Sequence, residues 1–192
     1  MANTSATAGA LTPNIAPAPL EGTALVDFIQ NWMVGITGVS GALVRPRWQP
    51  EPPNIPDEAT TWIAFGITKR DADTFIYEVH NPAGQGYNET RRNEILHFLA
   101  SFYGPNADSI ATQFRDGIQV AQNTEVLNLK NMVLVDSGEL VVAPELVKEK
   151  WLYRVDLSFS IRRQVVRDYQ VQTLQSALGI LNNEYYTVPI DN

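Results

Sequence analysis

The sequence predicts an α+β fold: a mainly antiparallel sheet flanked by two or more helices, with a flexible arm at the N-terminus. Three observations carry this. Two stretches space their apolar residues as one face of a helix, while several others alternate with a two-residue period or are dense in β-branched and aromatic side chains. The strand candidates adjoin one another through short polar turns, which favours hairpins over parallel crossovers. At 192 residues, 44% apolar and 18% charged, the chain is large enough for one core and too apolar for wholesale disorder. The expected division is an arm over 1–22 and a single domain over 23–192.

Residues 1–22 consist mainly of Ala, Thr, Pro, Asn and Gly, with Glu21 as their one charge, and show no structural period. They read as a flexible arm, either a plain disordered terminus or a segment that lies along a neighbouring subunit with Leu11, Ile15 and Leu20 as its anchors. Thr23 is an N-cap type residue, and Leu25, Phe28, Ile29, Trp32, Met33 and Ile36 follow at helical spacing. Gly35, Gly38 and Gly41 end that helix. An extended piece over Ala42–Trp48 leads into a linker stiffened by Pro50, Pro52, Pro53 and Pro56.

Thr61–Lys69 and Thr74–His80 read as a β-hairpin turning at Arg70-Asp71-Ala72-Asp73, and residues 81–92 as a mobile polar loop. The run Glu94–Tyr103 fits both periods; its aromatic content and the Gly104-Pro105 stop favour a strand with Leu96, Phe98, Ala100 and Phe102 inward. Asn106 caps a second helix that faces inward with Ala107, Ile110, Ala111, Phe114 and Ile118. After a helical or irregular piece at Gln122–Lys130 come a strand Met132–Asp136, a turn at Ser137-Gly138 and a weak strand Leu140–Ala143. In the last long strand Trp151, Tyr153, Val155, Leu157, Phe159 and Ile161 alternate with polar residues, placing them on the core face. From there to Leu181 periodicity fits a continued strand or a short helix.

The residues offer little chemistry. Without cysteine there are no disulfides, thiolate nucleophiles or Cys-based metal sites. His80 and His97 lack the close spacing of a local metal motif, so neither metal nor cofactor is expected. Ser40, in Gly38-Val39-Ser40-Gly41, misses the nucleophile elbow by one residue and follows a helix where that motif follows a strand. The glycines near residues 35–41 and 84–86 match neither a phosphate loop nor a dinucleotide fingerprint. A constellation of distant residues needs no local motif, but none is suggested, and the chain reads as no enzyme. No apolar run approaches the ~18–20 residues that cross a bilayer, so a soluble protein with no membrane partner is expected. The first cation is Arg45, which argues against a secretory leader.

Charge is the informative feature. Residues 148–167 hold Lys148, Lys150, Arg154, Arg162, Arg163 and Arg167 against Glu149 and Asp156, a net of +4 that leaves −11 for the rest of a chain totalling −7. A basic flank meeting an acidic surface suits self-association, which makes Arg154, Asp156, Arg162, Arg163 and Arg167 candidate interface residues beside the three arm anchors. Nucleic-acid binding is a rival use of the same arginines, and a solvated face with Arg154 and Asp156 paired on it is another.

Over residues 42–182 the order of segments resembles the bacteriophage neck or tail terminator proteins. The resemblance rests on Arg45-Pro46-Arg47-Trp48, Thr61-Trp62-Ile63-Ala64-Phe65-Gly66-Ile67, Phe102-Tyr103-Gly104-Pro105-Asn106-Ala107 and Phe114-Arg115-Asp116-Gly117-Ile118-Gln119-Val120 with Gln122-Asn123. Arg154-Val155-Asp156 and Ile161-Arg162-Arg163 complete it. It implies a non-enzymatic ring, commonly of six copies, stacked in the virion between the tail tube protein and a head-side connector, made in the host cytoplasm and passing genomic DNA through its lumen. It brings no catalytic residues. A head-completion or connector protein is the alternative within virion assembly; a nucleic-acid-binding accessory protein using the basic strand is the alternative from another class.

Overall fold

The computed structural model describes residues 3–7, 9–14, 19–147, 149–174, 176–181 and 184–189, the last two ranges as backbone alone. In chain order the elements are α1 (Gly22–Thr37), a 3-10 turn (Gly41–Leu43), β1 (Val44–Pro46), β2 (Trp62–Ala72), β3 (Tyr77–Asn81), β4 (Tyr87–Tyr103), α2 (Ala107–Gly117) and α3 (Ala121–Asn128). They continue with β5 (Met132–Val142), β6 (Glu145–Val147), β7 (Lys150–Leu152), β8 (Arg154–Tyr169), β9 (Ser176–Leu181) and β10 (Glu184–Pro189). Their contacts form two compact units. One is Leu20–Asp73 with Asn93–Gln164; the other is Met1–Pro19, Thr74–Arg92 and Val165–Asn192.

In the first unit the strands run in the order β1-β2-β4-β8-β5. β1 lies parallel to β2, whereas β2 pairs antiparallel with β4 and β5 antiparallel with β8. Side-chain contacts of β4 with β8 step in opposite directions, His97 meeting Ser160 and Ser101 meeting Asp156, so this pair is antiparallel too. The class is the expected α+β. Alternation then decides the core: Leu96, Phe98, Ala100 and Phe102 of β4 and Val155, Leu157, Phe159 and Ile161 of β8 are all buried on one face. Leu25, Ile29, Trp32 and Met33 of α1 and Ala107, Ala111 and Phe114 of α2 belong to the same buried cluster. At its centre Phe159 stacks on Phe98 at 5.0 Å and meets Phe114 edge-on at 5.6 Å.

Helix ends follow local chemistry only in part. α1 begins at Gly22, one residue before the expected cap, and neither Glu21 nor Asn106 makes a side-chain cap bond. Its C-terminus behaves as the glycines suggest, with Gly38 at φ 70 donating its N–H to the Val34 carbonyl at 2.9 Å.

Four strand expectations are corrected. β2 and β3 do not pair with each other as a hairpin; both pair with β4, over 94–103 and 87–91 respectively, and Asp71 lies in β2 instead of a turn. Most of the supposed loop 81–92 is therefore strand, with Asn81 and residues 87–90 half-buried, and the irregular turn is confined to residues 82–86. Ser137-Gly138 does not turn the chain, because β5 runs through it with register shifts at Leu134/Asp136 and Ser137/Leu140. Trp151 and Tyr153 are exposed, since the strand breaks at Tyr153: Leu152 and Val155, of opposite parity, are the buried residues on either side, and β7 pairs with β6 in a separate ribbon.

In the second unit β3 and residues 87–91 of β4 form a ribbon, and β9 pairs antiparallel with β10, which settles a strand at Ser176–Leu181. The arm is hydrogen-bonded to backbone here, Ser5 N–H to Gln170 O at 3.1 Å and Asn14 N–H to Asp168 O at 2.7 Å. Phe159→Ala should destabilise the protein by ~3–5 kcal/mol through the cavity it leaves, whereas Trp151→Ala should change stability by less than ~0.5 kcal/mol. Denaturant unfolding of both variants checks the assignment of faces.

Candidate interaction surface

The same alternation that buries one face of the first unit's sheet sends Leu99, Ser101 and Tyr103 of β4 and Arg154, Asp156, Ser160 and Arg162 of β8 to the other. Two chains of polar contacts cross that second face. In one, Arg154 Nη1 lies 3.0 Å from Glu145 Oε2 and Nη2 lies 2.9 Å from Asp156 Oδ2. The second carboxylate oxygen of Asp156 accepts from the Ser101 hydroxyl, which in turn accepts from Arg47. Burial opposes the Arg154 charge, but the hydrogen bond and charge of Asp156 more than offset it and hold its pKa above the ordinary value. The pairing foreseen for Arg154 and Asp156 is thus present.

In the other chain Ser160 Oγ is 3.0 Å from His97 Nδ1, His97 Nε2 is 2.9 Å from Asp71 Oδ2, and Lys69 Nζ is 2.8 Å from the same oxygen. Three adjacent strands bring together a serine, a histidine and an aspartate that no sequence spacing could reveal. Backbone N–H groups of these strands point along the ladder and not out of the sheet face, so the backbone beside the set presents no pair of donors to a developing oxyanion. It serves as a cross-strand polar ladder. Among the described residues no group of three or more His, Cys, Asp or Glu is placed to hold a metal.

The remaining candidates separate. Arg163 is 3% exposed, on the core face, where Nε donates to Glu94 and Nη1 to the Leu20 carbonyl, with Nη2 3.8 Å from Glu21. Its charge is used within the subunit, and its parity with Phe159 and Ile161 was the available signal. Arg162, one residue earlier, is exposed on the opposite face beside Val133 of β5. Arg167 is half-buried, its carbonyl accepting from Thr90. Leu20 packs partly against the core, Leu11 is half-buried, and Ile15 and Lys148 lie outside the described residues.

Sequence reasoning missed the two lateral edges of this sheet. Beyond β1, Trp48 is 71% exposed with φ 59, a backbone conformation costly for a bulky side chain. Its ring lies over Gly66, where an added Cβ would come within 2.7 Å of Trp48 Cζ3, so only glycine admits this approach. Beside it Trp62 stacks on Tyr103 at 4.1 Å and Arg45 lies 5.8 Å from the Trp62 ring centre. At the far edge β5 exposes Val133, Val135 and Val141.

Arg163→Ala should cost ~3–5 kcal/mol by stranding the Glu94 carboxylate, and the apolar pair Arg163→Met with Glu94→Leu should recover much of it; thermal melts of both variants test this. Hydrogen bonds from Lys69 and then His97 hold the Asp71 carboxyl below its ordinary range. A depressed carboxyl contributes stability above the unfolded-state value and loses it as pH falls through the lowered one. An NMR titration should place the Asp71 midpoint below that of a free aspartate, and Lys69→Ala should move it upward.

A family model described as phage neck terminator protein matches residues 23–184. No curated protein matches the chain.

Proposed function

The chain belongs to the phage neck terminator protein family, and on that premise we propose that it forms a ring, of six copies, which terminates the tail tube and joins it to the head-side connector. The family is one of structural virion proteins and not of enzymes, and membership implies contact with other tail and neck proteins. None of the described helices is long and apolar enough to cross a membrane. In this reading the helix-free sheet face and its edges meet protein neighbours, and the lumen, lined by acidic and neutral residues, lets DNA pass without holding it.

The observation that carries the assembly reading over nucleic-acid binding is how the basic segment uses its charge. Lys150 pairs with Glu58 at 2.8 Å, Arg154 with Glu145 and Asp156, and Arg163 with Glu94. Among the described residues of 148–167, Arg162 is an exposed cation with no such carboxylate. A phosphate-binding surface needs several free cations together. A salt titration with short duplex DNA should therefore show weak affinity with a shallow slope; a steep slope would favour the accessory-protein reading.

Arg162→Glu should leave stability within ~0.5 kcal/mol of the parent and abolish tail capping, read by electron microscopy of the protein mixed with tail tubes. Normal caps would remove Arg162 from the interface. Reversing Arg163 as well would confuse the result, because that residue holds the subunit together.

A further inference from the structure

We propose that adjacent copies meet through opposite edges of the first unit's sheet, the β5 edge of one copy seating in the groove beside β1 of the next. This rests on the ring reading and names its contact. Among the described residues β5 pairs only with β8, leaving its other edge without a strand. Along it Val133, Val135 and Val141 are 56%, 52% and 57% exposed, an apolar strand edge of the kind that pairs with another chain. Its charged residues are Asp136 and Glu139, both exposed, with no cation in the strand.

The opposite edge is its complement. Residues 44–48 carry Arg45 and Arg47 and no carboxylate. The Arg45 guanidinium donates to the carbonyls of Ala42 and Asn54, neutral acceptors that leave its charge uncompensated. Arg45, Arg47, Trp48, Ile55 and Trp62 line a groove of about 310 Å³, apolar with a cationic rim. The occupant that fits is an apolar edge bearing carboxylates, which this chain itself supplies. Edges on opposite sides of one sheet give a head-to-tail contact, the geometry that closes a ring when the rotation per subunit divides a full turn. Gln30 Nε2 already donates to the Val44 carbonyl at 2.7 Å, so the contact runs through side chains more than through a shared ladder.

Charge exchange tests this. Asp136→Lys/Glu139→Lys makes both edges basic, and Arg45→Glu cancels the charge of Arg47 and sets a carboxylate in the groove facing the acidic edge. Each variant, melting like the parent, should need at least ~10-fold more protein to associate, since like charges then face each other. An equimolar mixture should recover association with the two variants alternating, read by native mass spectrometry alone and with purified tail tubes. A second perturbation, Val133→Lys/Val141→Lys, should weaken association without a mixing rescue by Arg45→Glu as complete as that of the charge pair. If the parent associates and the variants do so equally well, or fail without rescue on mixing, the edge contact is wrong while the ring reading survives. If the parent stays monomeric alone and on tail tubes, the ring reading fails and the contact with it.

Discussion

The alternation of β4 and β8 is the constraint from which the first unit's other features follow. Because successive side chains point to opposite faces, a single phase places Phe98 and Phe159 against α1 and α2 and at once assigns Ser101, His97, Asp156 and Ser160 to the far side. A slip of one residue would bury the polar ladder and expose the aromatic stack. Packing of Phe159 against Phe98, Phe114 and Trp32 therefore fixes the register that the surface depends on, though none of these rings reaches the surface.

Arg163 shows how closely core and electrostatics are joined. It continues the inward series of β8 where the apolar residues run out, and the carboxylate it meets on β4 is that of Glu94. Another guanidinium nitrogen reaches the Leu20 carbonyl, so one buried cation ties β8, β4 and the chain entering α1. Removing either charge leaves the other stranded, which makes the pair a device for a unique arrangement more than a source of net stability.

What was legible in the sequence was what depends on local period. α1, α2 and the inward sets of β4 and β8 announce themselves because their burial repeats at the spacing of the backbone. The phase break at Tyr153 was not legible: Trp151 and Tyr153 continue the alternation of Val155 by number, and only the separate β6–β7 ribbon takes them out of the core. Nor was the pairing of β3, since Thr74–His80 suits either neighbour as a partner and long-range pairing leaves no trace in a two-residue period. Of the surface, the Arg154–Asp156 pair followed from its spacing on one strand face. The Ser160–His97–Asp71 ladder and the edges at Trp48 and Val133 arise from strands distant in sequence, and charge arithmetic over 148–167 could not say which arginine would be turned inward.

The irregular register of β5 bears on the protein before it meets its partners. An apolar edge held straight invites identical copies to stack without limit, the route to fibrous aggregates. Two interruptions of the ladder with β8 break the regular spacing such stacking requires, and Asp136 and Glu139 would face their own like charges in any β5-to-β5 contact. Both features work against open-ended pairing of β5 with β5 in a concentrated pool of newly made subunits.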